Sequence, residues 1–317
     1  MNMYDTVNLR LTRNDVPNID FYSETASYLE EPREYPARKS REGYGILSNK
    51  GNLTINILDD RITVTGSLCK WWLGDNMQSM TRTDAKEAIE WLSEELHLPM
   101  EQAEVTRLDI GCSIITKHTP IIYLNYLGSR QHSRRVPQEH GLYYHRSNWQ
   151  TLCFYDKIKE LKHRRDQVPP QYQDKNVLRY EIRYVKDIAN HLNMEAVNGA
   201  TLSDDAFCNS MERLLLENYN AIKKIKRSKF EYEMKSVKDL RNMGVLFLVE
   251  QAGGLNEFVG MIDTMRKQGK ITSKQAYDMR KEVTDACCGK YTSKFVVQNE
   301  EIDELDKAIF EAAKFYR

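Results

Sequence analysis

Short segments in which apolar and polar residues alternate dominate the first 185 residues, and this pattern ends near Val185. A period of two places successive side chains on opposite faces of a strand, so each segment is predicted to be a β-strand. Asp59-Asp60 stands between two such segments and fits a hairpin turn, as Ser147-Asn148 does further on. The predicted strands are residues 6–11, 52–58, 61–66, 105–115, the two arms of 141–155, and 177–184.

Helical spacing replaces alternation in the rest of the chain. Ser203-Asp204-Asp205 is predicted to cap a long helix, and further helices are predicted at residues 237–251, 255–267, 273–286 and 300–315. An earlier helix is predicted from Thr83, which would act as its N-cap. Another could begin over residues 156–165, where Pro169-Pro170 would end it. The sequence therefore predicts an α+β protein, with an antiparallel-sheet domain at residues 1–195 and an all-helical C-terminal domain at residues 196–317.

Composition excludes several classes of protein. The chain has no apolar run of about 18 residues and no N-terminal basic region followed by an apolar one, so we expect no membrane span, no signal peptide and a cytoplasmic location. Its six cysteines form no CxxC pair and have no matching histidines nearby, which argues against a zinc site or a disulfide framework.

Positive charge is concentrated locally, although the chain is neutral overall. Residues 130–165 contain nine Lys and Arg against three Asp and Glu, and residues 223–241 contain eight against three. Such segments on a neutral protein indicate a directed anionic partner. A solvated helix face with no partner explains residues 223–241 equally well.

The segment Leu152–Glu160 has the chemistry of a reactive tyrosine. Tyr155 comes at the predicted end of a strand and is followed by Asp156, Lys157, Lys159 and Glu160. If the strand continued, alternation would place Tyr155 and both lysines on one face, where the lysines would favour the phenolate and hold phosphate. A half-buried packing tyrosine is the alternative interpretation.

Two further predicted strands carry an acid at their centre. Asp109 lies in Arg107-Leu108-Asp109-Ile110, and Glu181 lies in Arg179-Tyr180-Glu181-Ile182-Arg183. Carboxylates are the hard ligands that Mg²⁺ or Mn²⁺ accepts, so both are candidate metal ligands. Ion-paired surface residues would produce the same pattern.

The order of these segments resembles the rolling-circle replication initiators of filamentous phages and related plasmids. The resemblance covers about residues 1–190. It is carried by Tyr4–Arg10, Gly66–Asn76, Val105–Gly111, the Phe154-Tyr155-Asp156-Lys157 segment with Glu160, and Leu178–Arg183.

The resemblance implies a metal-dependent tyrosine endonuclease and strand transferase. In such proteins the tyrosine attacks one DNA strand at the origin, retains the 5′ phosphate covalently and frees a 3′ hydroxyl. By position, Tyr155 would be the nucleophile, Lys157 would orient phosphate, and Asp109 and Glu181 would bind Mg²⁺ or Mn²⁺. The candidate DNA contacts are Arg107, Arg130, Arg134, Arg135, His145, Arg146 and Lys159.

The expected partners are origin DNA, single-stranded or extruded as a hairpin, together with a host polymerase. A host helicase is also expected because the chain has no phosphate-loop motif, and a homodimer is conceivable. The chain lacks the His-apolar-His pair of the wider nickase superfamily. Its nearest counterparts, His140 and His145, would face opposite sides of a strand, which leaves the metal-ligand set open.

Two other functions remain compatible with the sequence. The same scaffold could recognise an origin and regulate or recruit without cutting DNA. It could also belong to an RNA-binding or structural phage protein.

Overall fold

The prediction of an α+β protein is confirmed by a computed structural model, which describes residues 4–38, 40–77, 80–225, 227–228, 236–288, 296–297 and 300–314. The strands are β1 (Tyr4–Thr12), β2 (Arg33–Pro36), β3 (Tyr44–Lys50), β4 (Leu53–Leu58), β5 (Arg61–Thr65), β6 (Glu104–Thr116), β7 (Leu127–Arg130), β8 (Arg134–Gln138), β9 (Gly141–Arg146), β10 (Gln150–Asp156), β11 (Asn176–Tyr184), β12 (Ile222–Lys224), β13 (Arg227–Ser228) and β14 (Val296–Val297).

Ten of these strands form one antiparallel sheet in the order β2-β3-β4-β5-β1-β6-β11-β10-β9-β8. Strands adjacent in sequence pair through hairpins at both edges, including the predicted turns at Asp59-Asp60 and Ser147-Asn148. The centre is different, because β1, β6 and β11 come from distant parts of the chain. The two remaining pairs are β7 with β12 and β13 with β14.

The helices are α1 (Leu68–Leu73), α2 (Arg82–Leu96), α3 (Pro120–Leu124), α4 (Lys157–Arg164), α5 (Ile188–His191), α6 (Asp205–Asn220), α7 (Val237–Gln251), α8 (Leu255–Lys267), α9 (Ser273–Cys288) and α10 (Glu300–Lys314). The predicted cap of α6 is confirmed, since Asp204 accepts from the Phe207 amide. The predicted start of α2 is wrong by two residues. Thr81 caps this helix because it forms a reciprocal capping box with Asp84.

One face of the sheet is apolar and is covered by helices. Phe154 and Tyr180 stack with ring centroids 4.5 Å apart, and Tyr219 of α6 packs on both. The Tyr180 hydroxyl, which is buried, donates to the Leu215 carbonyl of the same helix, so its polar atom is satisfied. Helix α10 joins this core through Ile302, Leu305 and Ile309.

A second hydrophobic cluster lies in the C-terminal part, where α7, α8 and α9 pack together through Leu246, Ile262 and Val283. The division of the chain at residues 195 and 196 stays a prediction. The packing adds that α6 and α10 share the core of the sheet, whereas α7–α9 have a core of their own. Among the described residues, no single helix is long and apolar enough to cross a membrane, and α7 and α8 pass that test only as a pair bent by 90°.

The opposite face of the sheet is only partly covered. Around β10 and β11 it is closed by α4 and the segment after α1, through Ile158, Leu161, Val177 and Met77. Towards β1 and β5 the residues on this face are half-exposed and polar, among them Asn8 and Thr63. The polar residues of the candidate active site lie at the border between the covered and the open parts of this face.

Gly111 sets the approach of β6 to β11. A Cβ atom at this position would lie 2.3 Å from the Tyr180 carbonyl oxygen and 2.8 Å from Cγ of Glu181. We therefore expect Gly111→Ala to lower the free energy of unfolding by ~1–3 kcal/mol, the usual range for overpacking. Thermal or urea denaturation measures this change. Gly244→Ala is the control, since a Cβ there meets nothing within 4 Å and alanine favours a helix. Equal stability of the two variants would contradict this account of β6 and β11.

Candidate active site

Three central strands bring the predicted tyrosine and both predicted acids together. Glu181 of β11 pairs with Gly111 of β6 on one side and with Cys153 of β10 on the other. Asp109 and Tyr155 are each two residues along from those partners, on the same face by alternation. All three side chains line one cavity of about 100 Å³.

Tyr155 is held in place by Glu181. Its hydroxyl donates to Oε1 of Glu181 at 2.8 Å, and the residue is only 7% exposed. Burial, reinforced by the negative charge of Glu181, raises the pKa of Tyr155 well above its usual value of 10.0. The phenol is therefore protonated at neutral pH in this arrangement, and it must lose its proton before or during any attack.

Glu181 stands between two guanidinium groups. Arg179 donates from Nε to Oε1 at 3.0 Å, and Arg183 donates from Nη2 to Oε2 at 2.8 Å. Burial opposes ionisation of Glu181, but the two arginines and the Tyr155 hydrogen bond outweigh it and hold its pKa well below the usual range. Glu181 is thus a fixed negative charge deep in the protein, and it is a weak base while both arginines remain.

Asp109 has a different balance of charges. Arg107 binds it with two hydrogen bonds of 3.0 and 2.7 Å, but from the partly exposed end of the site. Burial raises the pKa of Asp109 to about 6, although Arg107 opposes the shift. The carboxylate of Asp109 is therefore less stable when ionised than that of Glu181.

Sequence reasoning did not select Asp5, which is part of the same cluster. Arg179 reaches Oδ2 of Asp5 at 3.3 Å, and Ser67 and Asn76 donate to the same carboxylate. These contacts join β1 and the segment around α1 to β11. The sequence signal that could have identified Asp5 is its position, since Asp5, Ser67 and Asn76 all fall in segments that carry the family resemblance.

Lys157 and Lys159 do not extend the strand, so the expectation of one shared face is wrong. Strand β10 ends at Asp156, whose side chain accepts from the Lys159 amide and caps α4. The helix turns the two lysines apart. Lys157 is buried and donates to Glu160 at 2.9 Å, whereas Lys159 is exposed on the helix surface. Only Lys157 lines the cavity with Tyr155.

The two proposed metal ligands lie close together but are already paired with cations. One oxygen of each carboxylate lies near Nε of Arg183, at 3.8 Å for Asp109 and 3.1 Å for Glu181. The two oxygens are therefore closer than ~10 Å, although one ion with ligand distances of ~2 Å would need them within ~4 Å of each other. However, every oxygen of both carboxylates already faces a guanidinium. The present arrangement does not fit a metal ion unless an arginine moves away, so metal binding stays a prediction.

The predicted DNA contacts separate into two groups. A row of residues crosses five strands on the face of Tyr155, from Asp109 through Arg183, Thr151 and His145 to Arg134. His145 is half-buried, and burial followed by the charge of Arg134 lowers its pKa. Arg107 lines the cavity and Arg134 is exposed, so this row leads from the tyrosine to a basic edge.

Three other predicted contacts do not point into this path. Arg130 is buried against Asn218 and Ser133, and Arg135 donates to the Leu127 carbonyl. Arg146 is exposed beyond the strand, where its guanidinium lies 5.3 Å from the centre of the Trp149 ring. Residues 130–165 therefore do not present all their positive charges on one surface, because internal hydrogen bonds hold Arg130 and Arg135. Part of the basic segment 223–241, residue 226 and residues 229–235, lies outside the described residues.

The fold and site define a class of protein in which an antiparallel sheet holds a tyrosine among buried acids and arginines. A comparison with protein families identifies the family. The chain belongs to the Phage_CRI family, whose model describes the N-terminal part of a phage replication-associated protein and matches residues 3–203. A search of curated proteins gave no match. The resemblance to phage rolling-circle initiators is thus confirmed, and the chain has a role in phage DNA replication.

Opposite pKa shifts predict opposite stability effects for the two acids. The raised pKa of Asp109 means that folding loses stability as pH rises from 3.8 towards about 6, so Asp109→Asn should leave the free energy of unfolding at pH 7 unchanged or higher. The lowered pKa of Glu181 contributes stability above pH 4.5 that disappears as pH falls further. Glu181→Gln should lower the free energy of unfolding at pH 7 by ~3–5 kcal/mol because it removes one of the two carboxylates that face the buried Arg179 and leaves that guanidinium with Asp5 alone.

Urea denaturation at several pH values separates these effects. Each variant is the control for the other, since both replace one carboxylate by an amide of the same shape. Equal destabilisation by the two substitutions would contradict the prediction, because it would mean that the arginines stabilise the ionised forms of Asp109 and Glu181 to the same extent.

Proposed function

We propose that the protein cuts one strand of origin DNA with Tyr155 and retains the 5′ phosphate as a phosphotyrosine. The hydrogen bond from Tyr155 to Glu181, inside a group of arginines, is the observation that carries this proposal. It gives the phenol a fixed direction and an acceptor for its proton. Membership in a family of phage replication initiators supports the same conclusion.

The arginines provide a way to activate the tyrosine when DNA binds. Arg183 and Arg107 are partly exposed, so a phosphodiester entering the cavity can compete with Glu181 and Asp109 for them. A guanidinium that turns towards phosphate leaves Glu181 with less positive charge, and the pKa of Glu181 rises. Glu181 then becomes a better acceptor for the Tyr155 proton at the moment when the phosphate is in place.

The bonds change in a single displacement at phosphorus. The Tyr155 oxygen bonds to phosphorus, its proton passes to Glu181, and the bond from phosphorus to the 3′ oxygen breaks. The leaving oxygen takes a proton from water and becomes the 3′ hydroxyl that a polymerase extends. Lys157, which is on the wall of the cavity, adds a positive charge near the phosphate.

A protein that binds the origin without cutting it is the second candidate function. The observation in its favour is that Tyr155 is 7% exposed and has a raised pKa, so the present arrangement is not that of an activated nucleophile. Origin DNA, a host helicase, a host polymerase and a homodimer stay predicted partners under either function, and the cytoplasmic location stays a prediction.

Substitution of the nucleophile distinguishes the two functions. We expect Tyr155→Phe to abolish nicking and the denaturation-resistant adduct with origin DNA, and to leave DNA affinity nearly unchanged, since only a hydroxyl is lost. The matched control is Tyr143→Phe, because Tyr143 lies on the same face and neighbours Cys153 but is half-buried. Electrophoresis under denaturing conditions and peptide mapping detect the adduct. Wild-type nicking by Tyr155→Phe, with the control also active, would exclude Tyr155.

Metal dependence has its own test. If Mg²⁺ or Mn²⁺ is required, EDTA should stop adduct formation, and Asp109→Asn should raise the metal concentration that gives half the maximal rate. Asp166→Asn is the control, since Asp166 lines the same cavity but pairs with Lys70 at 3.0 Å. Full activity in EDTA would show that the arginines suffice for charge neutralisation.

A further inference from the structure

A second polar cavity lies at the far end of β1 from Tyr155. It has a volume of about 290 Å³, and it is formed by the end of β1, the turn after it, a residue before β3 and the β4–β5 hairpin. Its charged lining consists of Arg10, Arg13, Arg41, Arg61, Asp59 and Asp60. Four guanidinium groups around one cavity form an anion site, and guanidinium geometry suits a phosphate.

Two of the four arginines are available for a ligand. Arg10 pairs with Glu104, and Arg61 pairs with Asp60 at 2.8 Å. Arg13 and Arg41 are exposed, and neither makes an ion pair within the part of the chain that the structure describes. These two guanidinium groups therefore keep their hydrogen-bond donors for a phosphate.

The wall behind the arginines also includes a carboxylate. Asp59 lines the cavity, but it is 8% exposed, and its Oδ1 is buried without a hydrogen bond from any residue described. A ligand in the cavity does not reach that buried oxygen, so the free guanidinium groups define the site as one for an anion such as phosphate.

The cavity is joined to the candidate active site by a polar strip. Asn8 pairs with Arg107 of β6, and Arg10 pairs with Thr63 of β5 on the same face. These residues are half-exposed, so a ligand can reach them from solvent. Arg10 lies five residues from Asp5, or about 17 Å along the strand. One DNA strand could therefore lie on this face and reach both sites.

We propose that this cavity binds one nucleotide of the strand that Tyr155 attacks. Arg13 and Arg41 hold its phosphate. This inference rests on the proposed function for the choice of DNA strand, and it adds a phosphate contact at a fixed distance from the cut.

The phosphate contact is tested by salt dependence. Anisotropy titrations use single-stranded oligonucleotides of increasing length and the Tyr155→Phe protein, so that no cutting occurs. The double variant Arg13→Ala/Arg41→Ala should lower the salt slope by up to ~1.4, at ~0.7 per contact. Wild type should then lose about sevenfold more affinity than the variant between 50 and 200 mM salt. Oligonucleotides too short to span both sites should show no difference.

The control for charge is Arg213→Ala/Arg266→Ala, which removes two exposed arginines elsewhere. A double variant at Arg13 and Arg41 that behaves like this control at every length would overturn the proposal.

Adduct formation is measured separately with the protein that retains Tyr155. Failure of the phosphate contact is therefore distinguishable from failure of the proposed nucleophile.

Discussion

The buried ion cluster of Glu181, Arg179 and Asp5 is the interaction on which the rest of the structure depends. Arg179 is fully buried and contacts both acids, so it connects β11 to β1 and to the segment around α1. Buried charges are unfavourable unless each has its partners, which makes the three residues stable only together. The same cluster holds Tyr155 through its hydrogen bond to Glu181. The interactions that stabilise the centre of the sheet therefore also form the candidate active site.

Arg183 lies between two acids, Glu181 and Asp109, whose ionised forms are stabilised to different degrees. Glu181 is held ionised by two guanidinium groups, whereas burial makes ionisation of Asp109 less favourable. Arg183 contacts both and is partly exposed, so an incoming phosphate can redirect it from either carboxylate. The proposed activation of Tyr155 needs only this exchange of partners, with no movement of the sheet.

The half-open face of the sheet connects the candidate active site to the surface that we propose binds DNA. Helices cover one face, and α4 covers the other face only beside Tyr155. The remaining polar surface leads along β1 to the arginine-lined cavity and across β10 and β9 to His145 and Arg134. Membership in a phage replication family suggests DNA as the ligand of this surface, because a DNA strand needs spaced phosphate contacts around the point of cutting.

The sequence by itself determined β1, β4, β5, β6, β9, β10, β11 and the long helices, because alternation and spacing are local properties of the chain. It did not determine β2, β3 or β8. The grouping of Tyr155, Asp109 and Glu181 came from the family resemblance. The sequence offered both a helix over residues 156–165 and a continued strand that would place Lys157 and Lys159 on one face with Tyr155. The side chain of Asp156 caps α4 and decides for the helix. Asp5 and the partners of Arg130 were also decided by tertiary structure. Which cations face which carboxylates depends on strands and helices that meet across as many as 174 positions, and no local pattern records that pairing.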